Sequence, residues 1–541
     1  MMKKFIGKVC SLFLMMLPIL TTAGCGASDS TAYSTEDVVN IGITDSLGGI
    51  NPLTVDQTWV NKYAIDLEFL PLVDLDADLN FQPMLADSIT TEDNRNFIVH
   101  IDDNATWSDG TPVTAADVEF TFLRLASPVI ANPTLTLYAF EGVNEDGFIE
   151  EGAGSVEGVK VIDEKTIQFT TKYPLALTTF ENTYALYIHT LPKHILGEYS
   201  EAELSTLDWF HHPDVVSGPY IVTDYDVDHY ISYTANENYW KGAPHITKLN
   251  FKIMDSSQIY AGLQSGEIDM THHTMTAIPQ EDYENIEALE HIDVIYGSPI
   301  TNQSVFIKTP NIPDARVRQA LVYAVDRNQI LEQLMKGHGE VIDGFISSPS
   351  PFYDQTITPM PYDPEKAKAL LEEAGWDGAK QLRFYVNSGD GAFVNAAQIM
   401  VEQWAAVGID AQIQTVDLAA LMDVAKAGDF DLLAVQYTYA PVDPYPDIAW
   451  LLGGEESWTG YADADIDEAL AATQTAKSVE EMKAFYTIVD QKVQQDVPMF
   501  SAYIISAQGA VSKRLTGVSA NVYGSFANVH EWDIAEQTGN N

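Results

Sequence analysis

The chain has 541 residues, of which 46% are hydrophobic and 20% are charged, so it is long enough for several domain-sized units with buried cores. Its formal net charge is −50, from 28 Lys and Arg against 78 Asp and Glu. Such a surface repels the phosphates of nucleic acids and of anionic lipids, which argues against both as partners.

The first residues have the pattern of an export signal. A basic start with three lysines precedes an apolar run over residues 9–20, which is too short to span a bilayer comfortably. The small residues Ala23 and Gly24 then lead to Cys25, and this segment resembles the bacterial lipobox, with Thr22 where leucine is usual. The resemblance implies cleavage after residue 24 and lipidation of Cys25. Ordinary secretion, with cleavage near Ala23, is the alternative.

The chain that remains after cleavage is predicted to be a tethered extracytoplasmic body. Residues 25–37 are polar and small, as a flexible tether would be, and no later apolar run approaches 18 residues. The two cysteines are Cys10 and Cys25, so the body has no intrachain disulfide, no cysteine metal site and no catalytic thiol.

Predicted strands and helices alternate along the body, which indicates an α/β fold. Thr114 is placed to N-cap a helix, and Asp117 lies three residues on, where its charge favours a helix start. Pro364 takes the first position of another helix, which ends at Gly375. The predicted strands are 38–43, 70–74, 96–101 and 409–416, and the predicted helices are 61–69, 115–125, 314–326, 364–374 and 396–407.

Several segments, in order along nearly the whole body, resemble the solute-binding proteins of family 5, the peptide and nickel type of ABC importers. The most specific is ATWSDGTPVTAADV at 105–118. The others include FQPMLADS at 81–88, DARVRQAL at 314–321 and GDFD at 428–431.

This resemblance implies a two-lobe, periplasmic-binding-protein-like fold of class II type, with an extra subdomain inserted in lobe I. The implied limits are 38–57, 169–296 and 499–541 for lobe I, 58–168 for the subdomain and 297–498 for lobe II. In the family the lobes close over a solute and deliver it to a permease that works with a separate ATPase.

The function that the resemblance implies is therefore capture of a peptide or peptide-like solute by a non-enzymatic monomer without cofactor. The protein would be held by its lipid on the outer face of the cytoplasmic membrane, which is the periplasmic side in a Gram-negative cell.

The candidate ligand-binding residues come from three places that face the cleft in the family. A buried ligand amine needs a carboxylate, and where peptide-binding members have that Asp this chain has Ala440, so Asp443 is the substitute. Alternating tyrosines can enclose a ligand or pack in the core. Adjacent histidines on a strand point to opposite faces, so no shared metal is predicted. The candidates are Ser46, Leu47, His272, His273, Tyr437, Thr438, Tyr439 and Asp443.

Three other functions stay open at this stage. The run Ala440-Pro441-Val442-Asp443-Pro444 resembles binders of nickel chelates, which would make the ligand a metal chelate or another small cationic solute, but Tyr445 stands where those proteins have His. A secreted hydrolase with paired carboxylates is a second alternative. A lipid-anchored solute sensor is the third.

Overall fold

The computed structural model describes residues 37–535, except for 45–46, 56–57, 227, 273–277, 280–281, 439, 453–456 and 520–521, and except for the side chain of residue 507. The predicted signal and Cys25 lie outside the described residues.

The strands and helices follow one another in mixed order. The strands are β1 (Val38–Ile43), β2 (Val73–Leu75), β3 (Phe81–Pro83), β4 (Ala86–Thr91), β5 (Asn96–Ile101), β6 (Val159–Val161), β7 (Thr166–Thr170), β8 (Tyr220–Asp226), β9 (Tyr230–Ala235), β10 (Lys248–Ile253), β11 (Met270–Thr271), β12 (Ile292–Ile307), β13 (Gly339–Glu340), β14 (Gln381–Asn387), β15 (Asp410–Val416), β16 (Leu432–Thr438), β17 (Met499–Ser512), β18 (Leu515–Thr516) and β19 (Asp533–Ile534). The α-helices are α1 (Trp59–Asp66), α2 (Ala115–Leu125), α3 (Leu177–Phe180), α4 (Lys193–Leu196), α5 (Glu201–Leu204), α6 (Ser256–Ser265), α7 (Tyr283–Glu287), α8 (Ala315–Tyr323), α9 (Arg327–Met335), α10 (Pro364–Ala374), α11 (Gly391–Ala406), α12 (Leu418–Ala427), α13 (Tyr445–Leu452), α14 (Ala464–Thr473) and α15 (Val479–Asp496).

Local signals predicted two helices to the residue. In α2 the Asp117 carboxylate accepts hydrogen bonds from the Thr114 N–H at 2.8 Å and from its hydroxyl at 2.7 Å, which closes the helix start. Helix α10 begins at Pro364 and ends before Gly375, whose φ of +64° suits glycine.

Two other helices have limits that differ from the prediction, because in each case an Asp side chain caps a helix start that the prediction did not place there. The predicted helix 314–326 is interrupted, since Asp326 accepts a hydrogen bond from the Gln329 N–H at 3.0 Å and starts α9 there. Asp390 caps α11 in the same way, so that helix begins at Gly391, earlier than predicted.

One long antiparallel strand pair joins the two halves of the main sheet. The strand order is β15-β14-β16-β12-β17-β11-β1-β10-β9-β8, and β13 also pairs with β17. β12 and β17 pair along nearly their whole length, with register shifts around Pro299. We call the half with β1 and β8–β11 lobe I and the half with β14–β16 lobe II. The implied limits of lobe II, residues 297 and 498, lie in or beside this pair.

Lobe I carries a second sheet, β4-β5-β7-β6, against which α2 packs. Its core surrounds the fully buried Trp107, and the ring of Phe97 stacks on that of Phe180 with 4.2 Å between centroids. This hydrophobic cluster extends from Leu53 to Tyr239, past residue 168, where the inserted subdomain was predicted to end. Residues on both sides of that limit therefore hold the subdomain in place.

The sheet of lobe II is covered on both faces. Helices α8–α11 pack on one face around Trp404, and α12–α15 pack on the other around Tyr486. Helix layers on both faces of the parallel strands β14, β15 and β16 confirm the predicted α/β fold.

Candidate functional site

The carboxyl ends of β14, β15 and β16 meet at one edge of the lobe II sheet. Open α/β sheets bind ligands at this edge, because the loops that follow the strands surround it. Asp390 follows β14 and Asp417 follows β15, and each caps the next helix through its carboxylate. The loop after β16, residues 440–444, faces lobe I across a cleft.

A cavity of about 410 Å³ lies between that loop and lobe I. Lobe I contributes most of its aromatic wall, and Asp447, in the first turn of α13, is the acidic residue of the described wall. Aromatic walls with a few polar groups are typical of pockets for small organic ligands. The described lining, which we call the subdomain-side cavity, is Trp59, Thr134, Leu135, Thr136, Tyr138, Asn182, Thr183, Tyr184, Tyr187, Thr438, Ala440, Pro446, Asp447 and Tyr523.

Asp443 is fully buried beside this cavity and joins the two lobes. Its Oδ1 accepts a hydrogen bond from the Thr179 hydroxyl of lobe I at 3.1 Å. Its Oδ2 has no hydrogen-bond partner among the described residues. Burial raises the pKa of Asp443 to about 7, against hydrogen bonds from Thr179 and others that lower it. The Asp443 carboxyl group is thus buried with no described basic group paired to it, which favours its neutral form.

Two neighbouring carboxyl groups are perturbed in the same direction. Burial, followed by repulsion from Asp443, raises the pKa of Asp447 to about 7. Burial likewise raises the pKa of Glu181 to about 7. Each of these groups would be stabilised in its charged form by a cation, because burial penalises an unpaired charge.

A second cavity, of about 570 Å³, lies on the hinge side of the same strand ends, and we call it the hinge-side cavity. Gln436 of β16 lines it, two residues before Thr438 of the first cavity. Lobe I contributes Ser256 and Tyr283 to its wall. The two cavities therefore flank one strand end, at which both lobes meet.

An amide and a carboxylate give the hinge-side cavity its polarity. The Gln303 Nε2 donates to Gln436 Oε1 at 2.9 Å, whereas Gln303 Oε1 is buried with no hydrogen-bond partner in the described part of the chain. Asp390 accepts from the Phe393 N–H at 2.9 Å, and burial raises its pKa. Two buried acceptor atoms of this wall, Gln303 Oε1 and Asp390 Oδ2, thus have no hydrogen-bond partner among the described residues.

The structure places the predicted residues of β16 on opposite faces of the sheet. Thr438 lines the subdomain-side cavity, and its hydroxyl oxygen lies 2.6 Å from that of Thr301. Tyr437 points to the other face, toward Phe306 and Phe345, with ring centroids 6.3 and 6.4 Å away. A ligand contact by Tyr437 remains a prediction that this packing does not support.

Leu47 and His272, the two described residues predicted near the first strand, lie in the core of lobe I rather than in either cavity. Leu47 is buried among the residues around Trp532. His272 is fully buried, and its Nε2 accepts the Thr44 N–H at 3.1 Å. Burial lowers its pKa to about 3, so the ring is neutral and ties β11 to the end of β1. Ser46, His273 and Tyr439 lie outside the described residues.

Sequence reasoning missed Asp447 and the lobe I aromatics of the first cavity. Asp447 stands four residues after Asp443, so a helix through this segment would have placed both carboxyl groups on one side. Tyr138, Tyr184 and Tyr187 are far from it in sequence, and no spacing signalled them. Ala440, the position where an acidic anchor was expected, does line the cavity.

The described part of the chain contains no cluster of three or more His, Cys, Asp or Glu side chains arranged to hold a metal ion. None of its helices is both long and apolar enough to cross a membrane.

This chain is similar to a family of known proteins. The model of the bacterial extracellular solute-binding proteins of family 5, middle region, matches residues 80–459. The oligopeptide-binding protein AppA of Bacillus subtilis is 26% identical over 97% of this chain and 98% of its own length.

Solved structures show the same two-lobe fold. AppA in complex with a nonapeptide has a TM-score of 0.70, at 22% identity over 93% of this chain and all of its own. The ABC transporter substrate-binding protein CtaP of Listeria monocytogenes has a TM-score of 0.79, at 22% identity over 92% of this chain and 99% of its own. NikZ of Campylobacter jejuni, in complex with Ni(L-His), has a TM-score of 0.71, at 21% identity over 92% of this chain and all of its own.

Proposed function

Because the chain belongs to the bacterial extracellular solute-binding proteins of family 5, we propose that it captures a peptide or peptide-like solute and delivers it to the permease of an ABC importer. The observation that carries this proposal is the aromatic cavity of about 410 Å³ that lies between the two lobes. The similarity to AppA over 97% of the chain supports a peptide as the solute.

Capture depends on contacts that exist only when the lobes are together. The Gln474 Oε1 of lobe II accepts from the Ala176 N–H at 3.2 Å, and its carbonyl accepts from Asn94 at 3.1 Å. The bond between Thr179 and Asp443 is a third polar contact between the lobes. A solute that touches both lobes adds free energy to the closed state alone, and about 5.5 kcal/mol would shift the population from 1:99 to 99:1.

The lobe limits, the monomeric state and the absence of catalysis belong to the same proposal. The lobes would meet near residues 297 and 498, and the permease would recognise the closed form while a separate ATPase supplies the energy. Asp443 and Asp447 are assigned binding roles and no chemistry, so a bound peptide should be recovered intact.

Peptide binding is expected to raise the melting temperature of the purified protein. At a ligand concentration 100 times Kd, binding stabilises the folded state by about 2.7 kcal/mol. A mixed library of short peptides should give this shift, and mass spectrometry should recover the bound peptides uncleaved. No shift with any peptide would contradict the proposed solute class, and cleaved products would favour the hydrolase. Nickel–histidine is the matched probe for the metal-chelate alternative.

We further propose that Cys25 carries the lipid that holds the protein on the outer face of the cytoplasmic membrane. Two or more acyl chains would hold it there, because each buried methylene contributes about 0.8 kcal/mol. Cys25→Ala is expected to move the protein from the membrane fraction to the soluble fraction and to remove the acyl mass from its N-terminus. Unchanged fractionation and mass would instead favour cleavage near Ala23.

A further inference from the structure

The two cavities share one electrostatic property: no described Lys, Arg or His lines either of them. Asp447 is the charged residue of the subdomain-side wall, and Asp390 is that of the hinge-side wall. The internal residues outside the described part contain no Lys or Arg in the sequence, and His273 is their one basic residue. A ligand carboxylate would therefore meet like charge and no basic partner from the described walls.

A buried acceptor without a donor provides a second, independent observation. Gln303 is 1% exposed and lines the hinge-side cavity, and its Oε1 has no hydrogen-bond partner among the described residues. A buried acceptor is normally satisfied, so the hinge-side cavity lacks a donor that a ligand would supply.

Features that could attract an anion are already used within the protein. The positive end of α11 points toward the hinge-side cavity, but the Asp390 carboxylate already accepts the Phe393 N–H there. In lobe I the Lys62 ammonium lies 2.7 Å from Asp66 and 3.5 Å from Asp74, so its charge is neutralised within the fold. Neither group is available to a ligand carboxylate.

The aromatic wall favours a cation as well. Tyr138, Tyr184, Tyr187 and Trp59 line the same cavity as Asp447, and faces of such rings attract ammonium and guanidinium groups. Gln436 and Thr438, one in each cavity, are two residues apart on β16, which corresponds to about 7 Å. One extended solute can therefore reach both cavities.

We infer that the solute presents an ammonium or guanidinium group to each cavity, at Asp447 and at Asp390, and a carboxylate to neither. This inference rests on the proposed function and narrows its solute class to basic compounds. A Lys- or Arg-containing peptide whose carboxyl terminus is blocked or lies outside the cavities has this chemistry, and so does a linear polyamine.

The test is isothermal titration of the mature protein with four probes: Lys-Ala-Lys-amide, spermine, acetyl-Ala-Ala-Ala-amide and Glu-Ala-Glu. We expect the two basic probes to bind at least 10-fold more tightly than the neutral peptide, and the acidic peptide to bind most weakly. Neutral or acidic peptides that bind as tightly as basic ones would overturn the inference and leave the proposed function intact. Binding of spermine without any peptide would instead overturn the peptide as solute and retain the charge assignment.

Isosteric variants test whether Asp447 and Asp390 are the carboxylates that bind the basic groups of the solute. Asp447→Asn and Asp390→Asn should each weaken binding of the basic tripeptide at least 10-fold and leave the neutral peptide unchanged. Asn remains a good helix cap, so the second change preserves α11. Asp417→Asn is the matched control, because Asp417 caps α12 after the neighbouring strand and lines neither cavity. Unchanged affinity in both variants, with melting temperatures equal to the parent protein, would overturn the inference. Asp447→Glu should retain most of the affinity.

Discussion

Replacing Arg327 by Met is expected to lower the free energy of unfolding of lobe II by about 3–5 kcal/mol, because the change leaves Asp343 as an unpaired buried charge. Arg327 Nη2 lies 2.7 Å from Asp343 Oδ1, and the two side chains are 2% and 3% exposed. The guanidinium also donates to the carbonyls of Ile342, Ser501 and Met360 at 2.9–3.0 Å. All of these acceptors would lose their donor together.

Thermal unfolding measures this effect, and we expect the melting temperature of lobe II to fall by roughly 10 °C. Arg316→Met is the matched control: Arg316 lies 2.6 Å from Asp314 in the same lobe, but the side chains are 46% and 34% exposed. Water replaces that partner, so no measurable change is expected. Adding Asp343→Asn to Arg327→Met should recover part of the loss. Equal effects of the two arginine changes would show that burial does not set the strength of these pairs.

The protein is expected to become more stable as the pH falls from 8 to about 5.5, by several kcal/mol. Burial raises the pKa of Glu68 and of Asp490 to about 8, and those of Asp443 and Asp447 to about 7. In the unfolded chain these groups stay ionised until the pH approaches their ordinary values near 4. The folded state therefore binds more protons across this window, and its stability falls as pH rises through it.

Burial of histidine has the opposite effect on the pH dependence of stability, and it acts over a lower pH range. Burial holds the pKa of His272 at about 3, so the unfolded chain takes up a proton below pH 6.5 that the folded chain does not. Stability should therefore rise less steeply with falling pH below 6.5 than above it. A melting temperature that decreased steadily from pH 8 to 5.5 would contradict the assignment of neutral buried carboxyl groups.

A single substitution isolates one of these groups. Glu68 Oε1 accepts the Val222 N–H at 2.9 Å, whereas Oε2 has no partner among the described residues. Glu68→Gln keeps the accepting oxygen and removes the charge, so it should raise the melting temperature at pH 8 and leave it unchanged near pH 5. Glu372→Gln, on the exposed face of α10, is the control and should have no effect at either pH.

Predicting this protein from sequence succeeded where the signal was local. The capping pair of Thr114 and Asp117, and the Pro364 start with its Gly375 end, act within a few residues and define α2 and α10. The family signature at 105–118 also anticipated the two-lobe fold. The predicted limits of two helices were wrong. Asp326 and Asp390 each accept a backbone N–H as the N-cap of a helix, so α9 begins at Arg327 and α11 begins at Gly391.

Part of the candidate site could be proposed from sequence, because the position of a loop along the chain is known before its three-dimensional neighbours are. The stretch around β16 and the following loop was predicted to face the cleft, and Thr438 lines a cavity. The face of β16 that carries Tyr437 could not be assigned, because alternation gives two faces and does not say which one a helix layer covers. In the structure that face packs toward Phe306 and Phe345.

The sequence by itself determined the alternation of strands and helices, the caps of several helices and the family, because each depends on neighbouring residues or on an ordered set of short motifs. Only the tertiary structure decided which side chains share a cavity. Thr179 and Asp443 are 264 positions apart, and the sheet order and the two strands that join the lobes bring them to hydrogen-bonding distance. The charge environment of Asp447 depends on such distant neighbours, since burial and repulsion arise from groups that the chain order does not place together.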